Sequence, residues 1–139
     1  MDRKSVEEKE IITKLRKHWP GFPKGKLVKS ESPDFILRLN RRKAIGIEIT
    51  RMDDFYYDGS ESPLIFQKQI LSTISRKEEK LPLYYKKVLD AYWLIITVNF
   101  GDDYTQPDMP VSADFSEMMT GFNKVLVFFL SPVKVIELK

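Results

Sequence analysis

The feature that most constrains the fold is the run Ala91-Tyr-Trp-Leu-Ile-Ile-Thr-Val-Asn-Phe100, apolar almost throughout. A strand with no polar alternation is one buried on both faces, so the run predicts the centre of a sheet with helices packed around it. It also falls well short of the roughly 18 apolar residues that a membrane span takes, and no other stretch comes closer.

The surrounding segments supply the other elements. Ser5 to Trp19 reads as an amphipathic helix, with Glu8, Ile12, Leu15 and Trp19 on one face. Ser5 and Glu8 have the spacing of a capping box, and Pro20-Gly21 stops the helix. Lys26 to Lys29 is a short strand and Ser30 to Pro33 a turn. Two alternating runs follow, Asp34 to Leu39 and Ala44 to Thr50, joined by the polar turn Asn40 to Lys43; they predict a β-hairpin. In the second run Ile45, Ile47 and Ile49 share one face. Ala44, Gly46, Glu48 and Thr50 share the other, where the small residues leave space around Glu48.

A loop spans residues 52–62. A long helix is predicted from about Pro63 to about Asp90, kinked or broken near Pro82. Gly101 to Val111 reads as a loop and Ala113 to Phe122 as a short helix. Lys124 to Leu138 reads as two strands broken at Ser131-Pro132. The expectation is therefore a single α/β domain over residues 1–139, with a mixed sheet and helices in the order α-β-β-β-α-β-α-β-β.

Composition narrows the chemistry. There is no cysteine, which excludes disulfides and thiolate metal sites, and the single histidine, His18, leaves no basis for a histidine cluster or a Ser-His-Asp triad. His18 itself sits where it favours a helix C-terminus. The opening MDRKSVEEKE lacks the apolar stretch of a secretory signal, so a cytoplasmic location is the default expectation. Charge is unevenly spread: residues 1–51 hold 14 basic and 7 acidic side chains, and residues 52–139 hold 9 and 13. A basic half suits a phosphate backbone, although charges of this kind also simply solvate helix faces.

Two acids stand out. Asp34 opens one strand of the hairpin after Pro33, and Glu48 lies near the end of the other among isoleucines. Paired carboxylates on adjacent strands suit Mg²⁺, which takes oxygen ligands and keeps several waters; the Ile49 carbonyl adds a further ligand. Register tests the pairing. A three-residue loop, Arg41 to Lys43, would set Asn40 against Ala44 and Asp34 against Thr50, with Glu48 diagonal to Asp34 on the same face. A two-residue turn at Arg41-Arg42 would bring Phe35 opposite Glu48 and separate the acids. Each acid also has a plain structural reading: Asp34 as a strand cap, Glu48 as the partner of Arg38 or Lys77.

Pro33-Asp34 followed by Glu48-Ile49-Thr50 resembles the PD-(D/E)xK nuclease superfamily, the restriction-endonuclease-like fold. The element order over about residues 5–100 resembles that αβββαβ core, with a C-terminal helix and two further strands as additions. The resemblance implies a metal-dependent nuclease that hydrolyses phosphodiester bonds, with DNA favoured over RNA and Mg²⁺ or Mn²⁺ as cofactor. Asp34 and Glu48 would be catalytic and hold the metal with the Ile49 carbonyl, and Glu8 from the first helix would join them if it is not the capping-box acid.

The family's usual lysine is replaced here by Thr50, which has no cation to steady charge developing on a phosphate. Some members take a lysine from the following helix, and Lys77 fits, because it shares the apolar face of Ile70, Ile74 and Leu81. Alternatively, it snorkels to solvent. A helix glutamine also serves the site in many members, here Gln67 or Gln69. Lys80 and Tyr84 extend the same segment. Arg38, Arg41, Arg42, Lys43 and Arg51 on or beside the hairpin, with Arg76, Lys80, Lys86 and Lys87 farther on, would hold the nucleic-acid backbone without reading sequence. Cutting both strands of a duplex would call for a homodimer. Two readings compete with the enzyme: a catalytically inactive nucleic-acid-binding or protein-interaction module of the same fold, which Thr50 favours, and an unrelated α/β domain. The loop acids Asp53, Asp54 and Asp58 lack the spacing of a calcium-binding loop, and Asp102-Asp103 reads as a turn.

Overall fold

The computed structural model describes residues 3–52, 63–98, 120–130 and 133–139. Across them run helices α1 (Arg3–His18), α2 (Pro63–Glu78) and α3 (Leu81–Tyr84), and strands β1 (Lys26–Lys29), β2 (Phe35–Arg38), β3 (Ala44–Arg51), β4 (Ala91–Val98), β5 (Lys124–Leu130) and β6 (Val133–Glu137). The strands form one mixed sheet in chain order. β3, β4 and β5 are parallel, with antiparallel β1 and β2 on one edge and β6 on the other.

β4 is the doubly buried centre that its apolar run predicts. Tyr92, Leu94, Ile96 and Val98 enter one core layer with Ile70 and Ile74 of α2 and Leu81 and Tyr84 of α3. Trp93 and Ile95 enter the other, with Ile11, Ile12 and Leu15 of α1 and with Ile45, Ile47 and Ile49 of β3. Helices thus cover both faces, as a parallel sheet centre demands. Glu48 lies on the α2 face. Among the described residues no helix is long and apolar enough to cross a membrane.

Several expectations are corrected. The long helix stops at Glu78 and the next begins at Leu81, so the predicted helix to Asp90 is divided before the proline and ends at Tyr84. Pro82 has no N–H to donate and its ring would collide with the carbonyl of Glu78, whereas the first turn of a new helix needs no N–H there. Ser5 lies inside α1, so it is not the helix cap. Thr120 to Phe122 are not helical, and the rest of the helix predicted over 113–122 falls outside the described residues, as do the loop acids at 53, 54, 58, 102 and 103.

The hairpin register is shifted by two residues from the expected one. Arg38 pairs with Ala44, and Phe35 with Ile47, around a five-residue connection. Asn40 sets that length: its Oδ1 accepts the N–H groups of Arg42 at 2.8 Å and Lys43 at 2.9 Å, folding the turn back on itself. A shift of two preserves parity. Continued by one step, the register sets Asp34 directly opposite Glu48 instead of diagonal to it.

Gly46 does not leave open space beside Glu48. A Cβ on it would come within 2.8 Å of both Pro33 Cγ and Leu89 Cδ1. Gly46→Ala is expected to lower stability by about 1–3 kcal/mol, the cost of overpacking against a stiff ring. Urea unfolding measures it, and an unchanged midpoint would show that Pro33 yields freely.

Candidate functional site

Asp34 occupies the point where β2 gives out while β3 continues. Its Oδ2 accepts the Ile49 N–H at 2.9 Å, standing in for the backbone that β2 no longer supplies. The C=O of a strand residue points the same way as its N–H, so the Ile49 carbonyl faces this edge too. The Asp34 N–H donates to Glu48 Oε1 at 3.2 Å, which ties the two acids across the hairpin.

The other oxygen of Glu48 is served from the helical layer. Lys77 Nζ lies 3.1 Å from Oε2, and the Tyr84 hydroxyl donates to the same atom at 2.6 Å. The ion pair is largely shielded, with side-chain exposures of 15% for Lys77 and 9% for Glu48. The break between α2 and α3 is what brings Lys77 and Tyr84 to one carboxylate, because a straight helix would carry Tyr84 about 10 Å farther along its axis.

Glu8 of α1 approaches from the opposite side. It is buried, its Oε1 lies 3.7 Å from Lys29 Nζ, and its Oε2 has no hydrogen-bond partner among the described residues. Lys29 also donates to the carbonyls of Ser30 at 3.0 Å and Asp34 at 3.1 Å. Burial pushes the Asp34 carboxyl above the ordinary carboxylate range, and the neighbouring Glu8 carboxylate adds to the rise. Burial and then the Asp34 charge do the same to Glu48, against the lowering effects of Tyr84 and Lys77. Burial and the hydrogen bond to Glu48 raise the Tyr84 phenol strongly.

The sequence-predicted residues thus divide into two groups. Asp34, Glu48, Lys77 and the Ile49 backbone are together, with Glu8 beside Asp34. Thr50 is buried two residues past Glu48, on the same face. Arg38, Arg41, Arg42 and Lys43 are not at the site: they are exposed at the far end of the hairpin, about 13 Å or more along the strands. They were expected beside the acids because they are close in sequence, but a hairpin puts its turn as far from its open end as the strands allow. Arg51 is at the carboxylate end, bonded to Glu7 of α1. Lys80 is exposed where α2 gives way to α3. Gln69 is exposed, and Gln67 precedes Lys77 by ten residues, about 15 Å along the helix, so neither meets the acids.

Lys29 went unnoticed as a site residue, and Lys87, expected on the nucleic-acid backbone, instead serves the turn before Asp34. Lys87 bonds to the Ser30 hydroxyl and the Glu31 carbonyl, fixing the turn that leads into Asp34. The β1–β2 register, which pairs Lys29 with Phe35, is the signal that would have found the first.

Among the described residues no three Asp, Glu or His side chains converge closely enough to enclose a metal ion. A largely hydrated Mg²⁺ needs only one or two carboxylates, and the donors suit it: two hard oxygen acids whose crowding a cation would relieve, with an orphaned Glu8 oxygen close by. A separate cleft of about 630 Å³ lies between α1 and the ends of β3 to β5, lined by Glu7, Glu10, Lys14 and Arg51, and it does not include Asp34 or Glu48.

The raised proton affinities carry a sign. A carboxyl whose folded pKa exceeds its unfolded one favours the fold below the unfolded value, near pH 4, and loses that contribution as pH rises through the folded value. Relative to an Asp34→Asn, Glu48→Gln variant, the parent is expected to lose stability from about pH 4 toward neutrality. Mg²⁺ or Mn²⁺ at tenfold excess over Kd should return about 1.4 kcal/mol at pH 7, roughly 4 °C in melting temperature, to the parent alone. Scanning calorimetry with and without the ion checks both, and an equal ion response in the variant would place the cation elsewhere.

Comparison with protein-family models, with curated proteins and with solved structures finds no match for this chain.

Proposed function

We propose that this chain is a metal-dependent nuclease with a restriction-endonuclease-like αβββαβ core. The observation that supports it best is the direct opposition of Asp34 and Glu48 across the hairpin, with Lys77 on the same carboxylate. A divalent ion held by these acids and the Ile49 carbonyl would polarise the phosphate and lower the pKa of water. Around it the chain's own groups have distinct tasks. Asp34 fixes the edge of β3 through the Ile49 N–H. Tyr84 and the Asp34 N–H hold Glu48 in one orientation. Lys77 supplies the positive charge that Thr50 cannot, at the position where charge on a phosphoryl oxygen would build up.

A second reading has its own support. Both oxygens of Glu48 already have protein donors, and an acid so satisfied serves equally well in a non-catalytic binding module. Cleavage of single- and double-stranded DNA and RNA with Mg²⁺ and Mn²⁺ separates the two. Metal-dependent hydrolysis is the expected result, and its absence on every substrate with both ions would leave the binding module.

A further inference from the structure

Residues 11–30 and residues 35–47 contain no acid. Between them they carry ten lysines and arginines. They are distant in sequence where it matters, yet the sheet brings them together. β1 pairs with β2 so that Lys26 sits directly opposite Arg38. Gly25 packs so closely on the Arg38 carbonyl that a Cβ there would be 2.5 Å from its oxygen. Arg16, at the C-terminal end of α1, donates to the Gly25 carbonyl at 3.2 Å. Arg41, Arg42 and Lys43 project from the adjoining turn, all exposed.

The result is a pole of positive charge at the end of the sheet away from Asp34 and Glu48. Asp90 reaches this end of the sheet, where its carboxylate accepts the Ala44 N–H at 2.7 Å. Among the described residues none of these six cations has an ion pair with an acid. Lys26 and Arg38 are moreover like charges directly across two strands, an arrangement that destabilises the sheet unless an anion lies over it.

We propose that this pole is a docking surface for the phosphate backbone of duplex nucleic acid, separate from the carboxylate site. The chemistry favours a duplex over the alternatives. Of the large apolar residues exposed on the described surface, Val28 stands on β1 two residues from Lys26 and Val88 two residues before Asp90; single aliphatic side chains of this kind are ordinary on a polar surface and give a bilayer or an apolar partner little to hold. Trp19 and Phe22 nearby are half-buried and packed edge-on against Trp93, with Arg16 lying over the Phe22 ring, which disfavours their use as a stacking platform for a single strand or as a wedge into a bilayer. What remains is a projecting arginine-rich turn beside a second row of cations, suited to contacts with successive phosphates. This goes beyond the nuclease reading and does not depend on it, because binding needs no metal.

The test is equilibrium binding of the full chain to a DNA duplex of about 20 base pairs, two helical turns, in EDTA over a range of salt. The variants are Arg41→Gln, Arg42→Gln, Lys43→Gln combined, Lys26→Gln with Arg38→Gln, and Asp34→Asn with Glu48→Gln. Both sets of basic replacements are expected to weaken binding at least about tenfold, the turn set lowering the slope of log K against log salt by about 2–3. The acid pair, with two negative charges fewer, should bind more tightly; binding lost in the acid pair alone would place the duplex at the carboxylate site and overturn the proposal. Two basic sets on different elements guard against misfolding of either. Parent affinity and slope in both basic variants would overturn the proposal. So would binding of the parent to phosphatidylserine vesicles, lost in the basic variants, with no binding to the duplex. Since EDTA prevents metal-dependent cleavage, an inactive enzyme that still docks DNA through this pole would refute the nuclease and not the docking surface.

Discussion

Asp34→Ala and Glu48→Ala are each expected to lower metal-dependent cleavage by at least about 10³-fold, the several kcal/mol that a bound ion contributes to phosphoryl transfer. The double variant should be scarcely worse than either single one, because groups that hold one ion act as a unit. Glu48→Ala removes more structure, since it strands the Lys77 ammonium and the Tyr84 hydroxyl together. Asp34→Asn and Glu48→Gln, which keep the hydrogen-bond geometry but shed the charge, distinguish lost chemistry from lost packing. Residual cleavage near the parent level in Asp34→Asn would remove Asp34 from the ion and with it the nuclease assignment of the pair.

Lys77→Met is expected to destabilise the fold by about 3 kcal/mol, because it leaves Glu48 charged, shielded from water and without a counter-cation. Methionine preserves an apolar stem of similar length, so the loss reports the charge and not the packing. Glu48→Gln on top of it should restore most of the stability, since a neutral amide can still accept from Tyr84. Urea midpoints for the four proteins of this cycle measure the coupling directly. A Lys77→Met protein as stable as the parent would mean that the lysine reaches past the acid to solvent. The same variant has a second readout: if Lys77 steadies the reacting phosphate, cleavage falls while the thermal response to Mg²⁺ persists, since Asp34 and Glu48 remain.

How far the site could be read from the sequence depended on the range of the interaction. Asp34 and Glu48 were identifiable because strand parity is a local property. Every even-numbered residue across an even-sum register shares a face, and a register shift of two left that conclusion standing. The inward direction of Lys77 was also legible, from its place on the stripe of Ile70, Ile74 and Leu81. The true hairpin length was not, because it turns on one side chain, Asn40, taking two backbone N–H groups that a polar turn could have bonded in other ways. Nor was the break before Leu81 resolved to the right residues: Pro82 announces a boundary, but packing decides how soon the helix ends.

The sequence by itself determined the covered central strand, the helices that cover it and the shared face of the two acids. These follow from periodicity and from the cost of exposing apolar surface, which act residue by residue. Only the tertiary structure decided which cations belong to the acids. Lys77, which the helical stripe already indicated, is joined by Lys29 from an edge strand, while the arginines of the hairpin turn, nearer in sequence, are held at the opposite pole. The physical reason is the strand itself: its stiff rise of about 3.3 Å per residue separates neighbours in sequence, and chain reversals return distant residues to within hydrogen-bonding distance.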